Sequence, residues 1–468
     1  MPNIAEQLAH ADRAYIKAPA GYGKTFLIAQ AVTYCNNGKE LILTHTHAGV
    51  RSIQEKLKSM GVSTKKYDVD TIAGWCLRLT MTFPFLSGLS NFSPMENDEW
   101  NSIYPVLIKL LENSSIKKII KSTYHGIYVD EYQDCNCRQH QLILVLANLL
   151  PCRILGDDLQ GIFDFSKNDP LINWRDDVET QFLHIGDLTK PWRWINANNA
   201  ALGTVLLQLR EALESSQPFN LQQRPITWVN YTYPNQINWC RRFLRNNTES
   251  VVAIQSLPNQ CNYFARQLQG KYGVMESLNC QDLFKAAIEI ETLQGFSRAL
   301  YLIEFASKCM TQIKDTLKPT ISAFEKGKFS AVSDKTTYPV LVNALNQVIC
   351  DYNLLFVANT LPLFCKISNS YLYRRELWYE FSRSIKVYLR GGFDTLKDAA
   401  WNIRNITREQ GRYLDHRTIS RTLLIKGLEF DHVIILNADS LDKKNLYVAM
   451  TRGTKSLTVL SSNPIIQK

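Results

Sequence analysis

Lys24 and Thr25 follow Gly21 and Gly23 in residues 14–25, AYIKAPAGYGKT. A glycine turn lets backbone N–H groups converge on phosphate oxygens, and a helix opening at that turn adds positive potential. In such a cradle Lys24 can bridge β- and γ-phosphates, and the Thr25 hydroxyl can ligate Mg2+. The candidate nucleotide loop is Ala20, Gly21, Tyr22, Gly23, Lys24, Thr25 and Phe26; Ala18 stands where G-x-x-x-x-G-K-[ST] has its first glycine. A second group is Asp130-Glu131 in residues 126–134, GIYVDEYQD. Asp130 can hold Mg2+, and Glu131 can position or deprotonate an attacking water. Gln160, in Gly156-Asp157-Asp158-Leu159-Gln160, is placed to meet a γ-phosphate if these segments end strands of one sheet. Gln7 carries an amide able to pair with an adenine edge.

These groups need a scaffold, and the hydrophobic pattern supplies one. Residues 14–18 alternate as a strand does, and 24–35 have the apolar spacing of a helix stopped by Asn36-Asn37-Gly38. Residues 41–44 read as a strand, 48–60 as a helix closed by Gly61, 127–129 as a buried strand, 138–150 as a helix and 152–155 as a strand. This βα alternation predicts an α/β fold with a parallel sheet whose carboxyl edge meets ligands. That edge would carry Thr44, His45, Thr46 and His47; no third ligand accompanies the histidines at metal spacing. Residues 104–120 read as a helical insertion. Phe163 and Phe165 alternate, either to stack on bases or to pack in a core.

With 468 residues, 45% hydrophobic and 21% charged, the chain is globular and long enough for several domains. A net charge of +10 leans towards a polyanionic partner, although no block of like charges is present. Eleven cysteines lack metal-ligand spacing and, with no signal peptide apparent, suggest reduced thiols and a cytoplasmic protein. The most apolar run, residues 141–155, is interrupted by Asn148 and Pro151 and is too short for a membrane span.

GYGKT, LTHTHAG, TIAGWCLRL, VDEYQD and LGDDLQGIFDF, followed by LTKPWRWINANN (188–199), IKGLEF (425–430) and LYVAMTRGTK (446–455), occur in an order that resembles superfamily-one helicases of the UvrD/Rep/PcrA type. The resemblance runs from Gln7 to Lys455. It implies two RecA-like parallel-sheet P-loop domains with small, mainly helical insertions: 1–83 with 122–186 as first core, 84–121 as its insertion, 187–290 with 405–468 as second core, and 291–404 as a reduced helical subdomain. Carried over by position, Gln7 and Trp192 would hold adenine, and Lys24, Thr25, Asp130 and Glu131 the Mg2+–triphosphate. Gln160 would sense the γ-phosphate, Arg193 and Arg452 would reach in from the second core as arginine fingers, and Glu429 would touch the ribose or couple DNA to it. Thr44, Thr46, Thr71, Phe163 and Phe165 would line the DNA strand. Departures cluster in that track: His45 replaces an aromatic, Ala73-Gly74 a His-Ser or His-Gly pair, Ser166 an arginine, and Leu423 a histidine before Lys-Gly-Leu-Glu.

The resemblance implies an ATP-dependent, single-stranded-DNA translocase or helicase moving 3′ to 5′, acting in repair or anti-phage defence with ATP and Mg2+. Its partners would be single-stranded or tailed DNA and a nuclease subunit, with no membrane. With little sequence after Arg452, a nuclease domain is not expected there. A short chain of this kind resembles the UvrD-like subunit of Gabija-type anti-phage systems. An alternative is a DNA-end-sensing ATPase that regulates a partner nuclease with little unwinding of its own. A P-loop kinase or small-molecule ATPase would explain Lys24 but leave Arg193, Glu429 and Arg452 without a role.

Overall fold

The structure, a computed structural model, describes residues 3–35, 38–89, 97–163, 168–245, 248–277, 280–410, 412 and 414–468, with backbone alone for 97–101 and 408–410. Phe165 and Ser166 lie outside the described residues. Contacts divide the chain into two compact units. Residues 1–220, 441–455 and 465–468 form one, and 221–440 with 456–464 form the other.

The first unit is built on β1 (Arg13–Lys17), β2 (Lys39–Thr44), β3 (Tyr67–Thr71), β4 (Tyr124–Val129), β5 (Cys152–Gly156) and β6 (Leu183–Asp187), in the order β3-β2-β4-β5-β1-β6. Every neighbouring pair is parallel. Alternate residues along each strand serve opposite faces. Leu41, Leu43, Ile127, Val129 and Ile154 pack into one core, and Ile16, Ile42, Tyr128 and Leu155 into another. A sheet buried on both faces is what parallel strands require, and it explains their nearly unbroken apolar runs. The helix Lys24–Tyr34 covers the second face. On the other lie Cys137–Ala147 and the insertion helices Asn97–Leu110 and Ser114–Thr123. A short antiparallel pair, β7 (Phe219–Asn220) with β14 (Ile465–Ile466), also belongs to this unit.

The second unit carries β8 (Ile226–Asn230), β9 (Val251–Ile254), β10 (Gly273–Val274), β11 (Arg417–Ser420), β12 (Phe430–Ile435) and the later part of β13 (Gly453–Ser461), in the order β10-β11-β9-β12-β13-β8. Val251, Ala253, Ile419, Ile434 and Leu460 form its sheet core. The protein is thus α/β with two six-stranded parallel sheets. Between β10 and β11 the chain is helical, from Gln281–Thr292 to Leu396–Gln410, around Leu302, Phe305, Leu345, Phe364 and Phe381. The polar stretch 326–337 falls between the helices Lys318–Glu325 and Pro339–Cys350. Among the described residues, no helix is long and apolar enough to cross a membrane.

Residues 187–220 and 441–455, expected with the second core, group by contacts with the first unit. Side-chain hydrogen bonds account for this. Trp194 donates its indole N–H to the Gly453 carbonyl at 2.8 Å, and Asn199 donates to the Thr454 carbonyl at 3.1 Å.

Candidate active site

The carboxyl edge of the first sheet sets out the candidate residues in strand order: Thr71 after β3, Thr44 after β2, Asp130 and Glu131 after β4, Asp157 and Gln160 after β5, and the glycine loop after β1. The sequence scatters them between Gly21 and Gln160, and parallel pairing returns each to the same edge. The loop turns because Gly21 (φ +77°) and Gly23 (φ +91°) take left-handed backbone, with Gly23 capping the helix that begins at Lys24. Gly21 is also constrained by space. A Cβ there would lie 2.9 Å from both the Trp194 ring and the Cβ of Arg193.

Lys24 is buried, donates to the Ala18 carbonyl at 3.2 Å, and lies 3.6 Å from Glu131 Oε1. Thr25 Oγ1 donates to Asp130 Oδ2 at 3.2 Å. Burial first, and the Glu131 carboxylate second, push the Asp130 carboxyl above the usual carboxylate range. A cation relieves that cost, and a hydroxyl beside a carboxylate is the hard-oxygen donor pair that Mg2+ takes, so these residues fit the ion. Among the described residues, no group of three or more His, Cys, Asp or Glu is arranged to hold a metal, so this donor pair would depend on substrate oxygens. Glu131 itself sits at φ +55°, a conformation that costs a non-glycine residue about 1–3 kcal/mol unless its surroundings impose it. Gln133 helps impose it, donating to Glu131 Oε2 while its own Oε1 accepts from the Asp157 amide at 2.9 Å.

Both candidate arginines lie in this same unit. The Arg193 backbone N–H donates to the Gly21 carbonyl at 3.0 Å, and its Nη1 donates to the Thr451 carbonyl at 2.7 Å. Arg452 is buried; its Nη2 donates to Gln160 Oε1 at 3.1 Å and its Nε to the Val448 carbonyl at 3.0 Å. Trp192, half-exposed, lies against the loop, with Cδ1 3.3 Å from where a Gly23 Cβ would be. Gln7 is on the exposed side of the first helix, Ile4–His10, and Phe26 is exposed under the Lys56 ammonium. Tyr22 is buried, and its hydroxyl has no hydrogen-bond partner.

The remaining candidates lie apart from the loop. Glu429 is exposed in the second unit. Thr44 and Thr71 are paired across β2 and β3. Thr71 accepts from the Gly74 amide at 2.9 Å, and Thr46 from the Gly49 amide at 3.0 Å, each capping a helix. Phe163 is half-buried beyond Gln160.

Three residues not singled out by the sequence complete the site: Asp157, Arg210 and Tyr447. Asp157 is fully buried and accepts from Gln160 Nε2 at 2.8 Å, from the Tyr447 hydroxyl at 3.2 Å and from Arg210 Nη1. Tyr447 in turn accepts from the Ala20 amide at 3.3 Å. A signal for Arg210 was present: it shares the buried face of its helix, Ala200–Glu214, with Leu202, Leu206, Leu209 and Leu213.

Residues 91–177 match the family pattern described as the UvrD/REP helicase N-terminal domain. This is a UvrD/Rep-like chain. An ATP-dependent helicase/nuclease subunit from Streptococcus pyogenes serotype M5 (strain Manfredo) is 39% identical over 75 residues, 16% of this UvrD/Rep-like chain and 6% of that protein. The protein of the same name from Streptococcus uberis matches over the same shares. The match therefore spans a small fraction of these relatives' length. Among solved structures, Pif1 helicase from Candida albicans aligns at 10% identity over 98% of this chain and 94% of that one, with a TM-score of 0.42. An arterivirus nonstructural protein 10 (helicase) with DNA aligns at 10% identity over 98% and 63%, with a TM-score of 0.38. At that distance, residue roles in the UvrD/Rep-like chain stand on its own side chains.

Proposed function

We propose that this UvrD/Rep-like chain hydrolyses ATP and uses the turnover to move along single-stranded DNA, 3′ to 5′ by its resemblance. The observation that carries the proposal is the gathering of Lys24, Glu131, Gln160, Arg193 and Arg452 in one compact unit, tied to the glycine loop and to one another by hydrogen bonds. Lys24 and the loop amides would hold the triphosphate, and Trp192 and Gln7 the base. Mg2+, held by Thr25 and Asp130, would neutralise phosphate charge. Glu131 would orient water, its carboxylate held by Gln133. The guanidinium groups of Arg193 and Arg452 would meet charge developing on the transferred group, an effect of about 10³–10⁵ in rate for an arginine so placed. Glu429 would belong to the coupling between nucleotide and DNA.

Single-stranded or tailed DNA is the proposed track, lined by Thr44, Thr46, Thr71, Phe163 and Phe165. The proposed partner is a nuclease subunit, and the setting is repair or anti-phage defence in the cytoplasm. The names of the Streptococcus proteins, helicase/nuclease subunits, favour the nuclease. A second reading is a DNA-end-sensing ATPase with little unwinding of its own. It is favoured by threonine hydroxyls engaged in helix caps and by His45 in an aromatic's place.

ATPase rates with single-stranded DNA, tailed duplex, blunt duplex and RNA, measured beside strand displacement, test both. Stimulation by single strands with displacement supports the translocase. Stimulation without displacement supports the sensor. Hydrolysis indifferent to nucleic acid overturns both.

A further inference from the structure

Arg210 is buried, yet it carries a full guanidinium among three acids. It donates to Asp157 Oδ1, to Asp158 Oδ1 at 2.9 Å and to Glu214 Oε1 at 2.8 Å, and its guanidinium lies 5.6 Å from the Tyr447 ring centroid. Lys17 shares Asp158 and Glu214, at 3.3 and 3.5 Å. A buried ion cluster seldom adds stability over well-packed apolar side chains, so its presence calls for another reason. Its geometry supplies one. The Asp157 carboxylate has two working oxygens. Arg210 occupies Oδ1, while the Gln160 amide and the Tyr447 hydroxyl both donate to Oδ2.

Each of these bonds has a consequence one contact further on. With its NH2 turned to Asp157, Gln160 presents its carbonyl oxygen to Arg452, a donor. An amide turned the other way would set donor against donor. Tyr447, held by Asp157, offers its oxygen to the Ala20 amide of the glycine loop. The Asp157 backbone amide anchors Gln133, which holds Glu131. One carboxylate therefore touches the settings of the loop, the water-positioning acid and the finger, and Arg210 fixes that carboxylate.

We propose that Arg210 is a positioning residue for nucleotide turnover, acting through Asp157 to set Gln160, Tyr447 and thereby Arg452. The inference rests on the ATPase reading above. Two substitutions in the full-length chain test it. Tyr447→Phe keeps the ring and removes only the hydroxyl; Arg210→Lys keeps the charge and removes the fork. Groups one contact behind the reacting atoms are worth about 10- to 100-fold in activity, so kcat is expected to fall by that factor in each. KM for ATP and affinity for a fluorescent ADP should change far less. A second readout needs no nucleotide. The Arg452 Nε–H, bonded to Val448, should exchange with solvent faster in both variants than in the parent, by NMR.

Parental kcat and parental Arg452 exchange in both variants overturn the inference. If Arg210→Lys does not fold, Tyr447→Phe decides on the same two measurements. A parent chain without ATP hydrolysis under any nucleic acid overturns the proposed function itself, and Arg452 exchange then still decides whether Arg210 positions Arg452.

Discussion

Arg452 Nη2 lies 3.1 Å from Oε1 of Gln160, although 291 residues separate the two along the chain, from 161 to 451. Both side chains are buried, so the bond is shielded from water and orients a guanidinium beside the residue placed to sense a γ-phosphate. Arg452→Ala removes that charge. On the proposed function it should lower kcat by about 10³-fold or more while the chain still binds nucleotide. Steady-state ATPase with fluorescent-ADP titration checks this, and a kcat within tenfold of the parent would remove Arg452 from the chemistry.

Lys24 and Glu131 should separate binding from turnover. Lys24→Ala is expected to weaken nucleotide binding and to reduce hydrolysis by about 10²- to 10³-fold, the scale for losing one preorganised charge donor. Glu131→Gln keeps the shape and the Gln133 contact region, so it should bind ATP normally yet turn over at least as slowly. Equal loss of binding in both variants contradicts the assigned roles.

Gly21 offers a test of stability that does not depend on activity. Alanine there must take φ +77° and bring its methyl to 2.9 Å from Trp194 and Arg193. Overpacking of this kind costs about 1–3 kcal/mol. Gly21→Ala should therefore lower the urea midpoint of the first unit, and an unchanged midpoint would mean the loop relaxes freely.

His140 gives the chain a pH signature. It is buried, its Nδ1 lies 2.8 Å from the Tyr132 hydroxyl, and burial holds its pKa below the ordinary value. Below about pH 6.5 the unfolded chain binds a proton that the folded chain resists, so this contribution to stability is whole at neutral pH and lost as pH falls. Unfolding midpoints compared between pH 7.5 and 5.5 should fall more steeply for the parent than for His140→Gln. Parallel slopes would exclude His140 as a contributor.

Affinity for single-stranded DNA should fall with salt, with a log–log slope of about −0.7 for each phosphate neutralised. Fluorescence anisotropy from 50 to 200 mM salt measures it. A flat profile would remove the phosphate backbone as the main contact.

The sequence by itself determined the local pieces: the glycine turn before Lys24, the strand ending at Asp130-Glu131, and the apolar alternation that buries both faces of the first sheet. Each depends on neighbours a few residues apart, where turn chemistry and side-chain period decide the backbone. Motif order also pointed to Gln160, Arg193 and Arg452 one by one. What it left unmarked was the Arg210–Asp157–Tyr447 junction. Asp157 looked like one acid in a turn, Arg210 like one cation on an amphipathic helix, and Tyr447 like an aromatic before Thr451-Arg452. Only folding removes them from water together, and only there does an unpaired charge become costly enough to fix a partner. Tertiary structure likewise decided that residues 187–220 and 441–455 group with the glycine loop, because the bonds that hold them, from Trp194 and Asn199 to carbonyls more than 250 residues away, have no trace in local pattern.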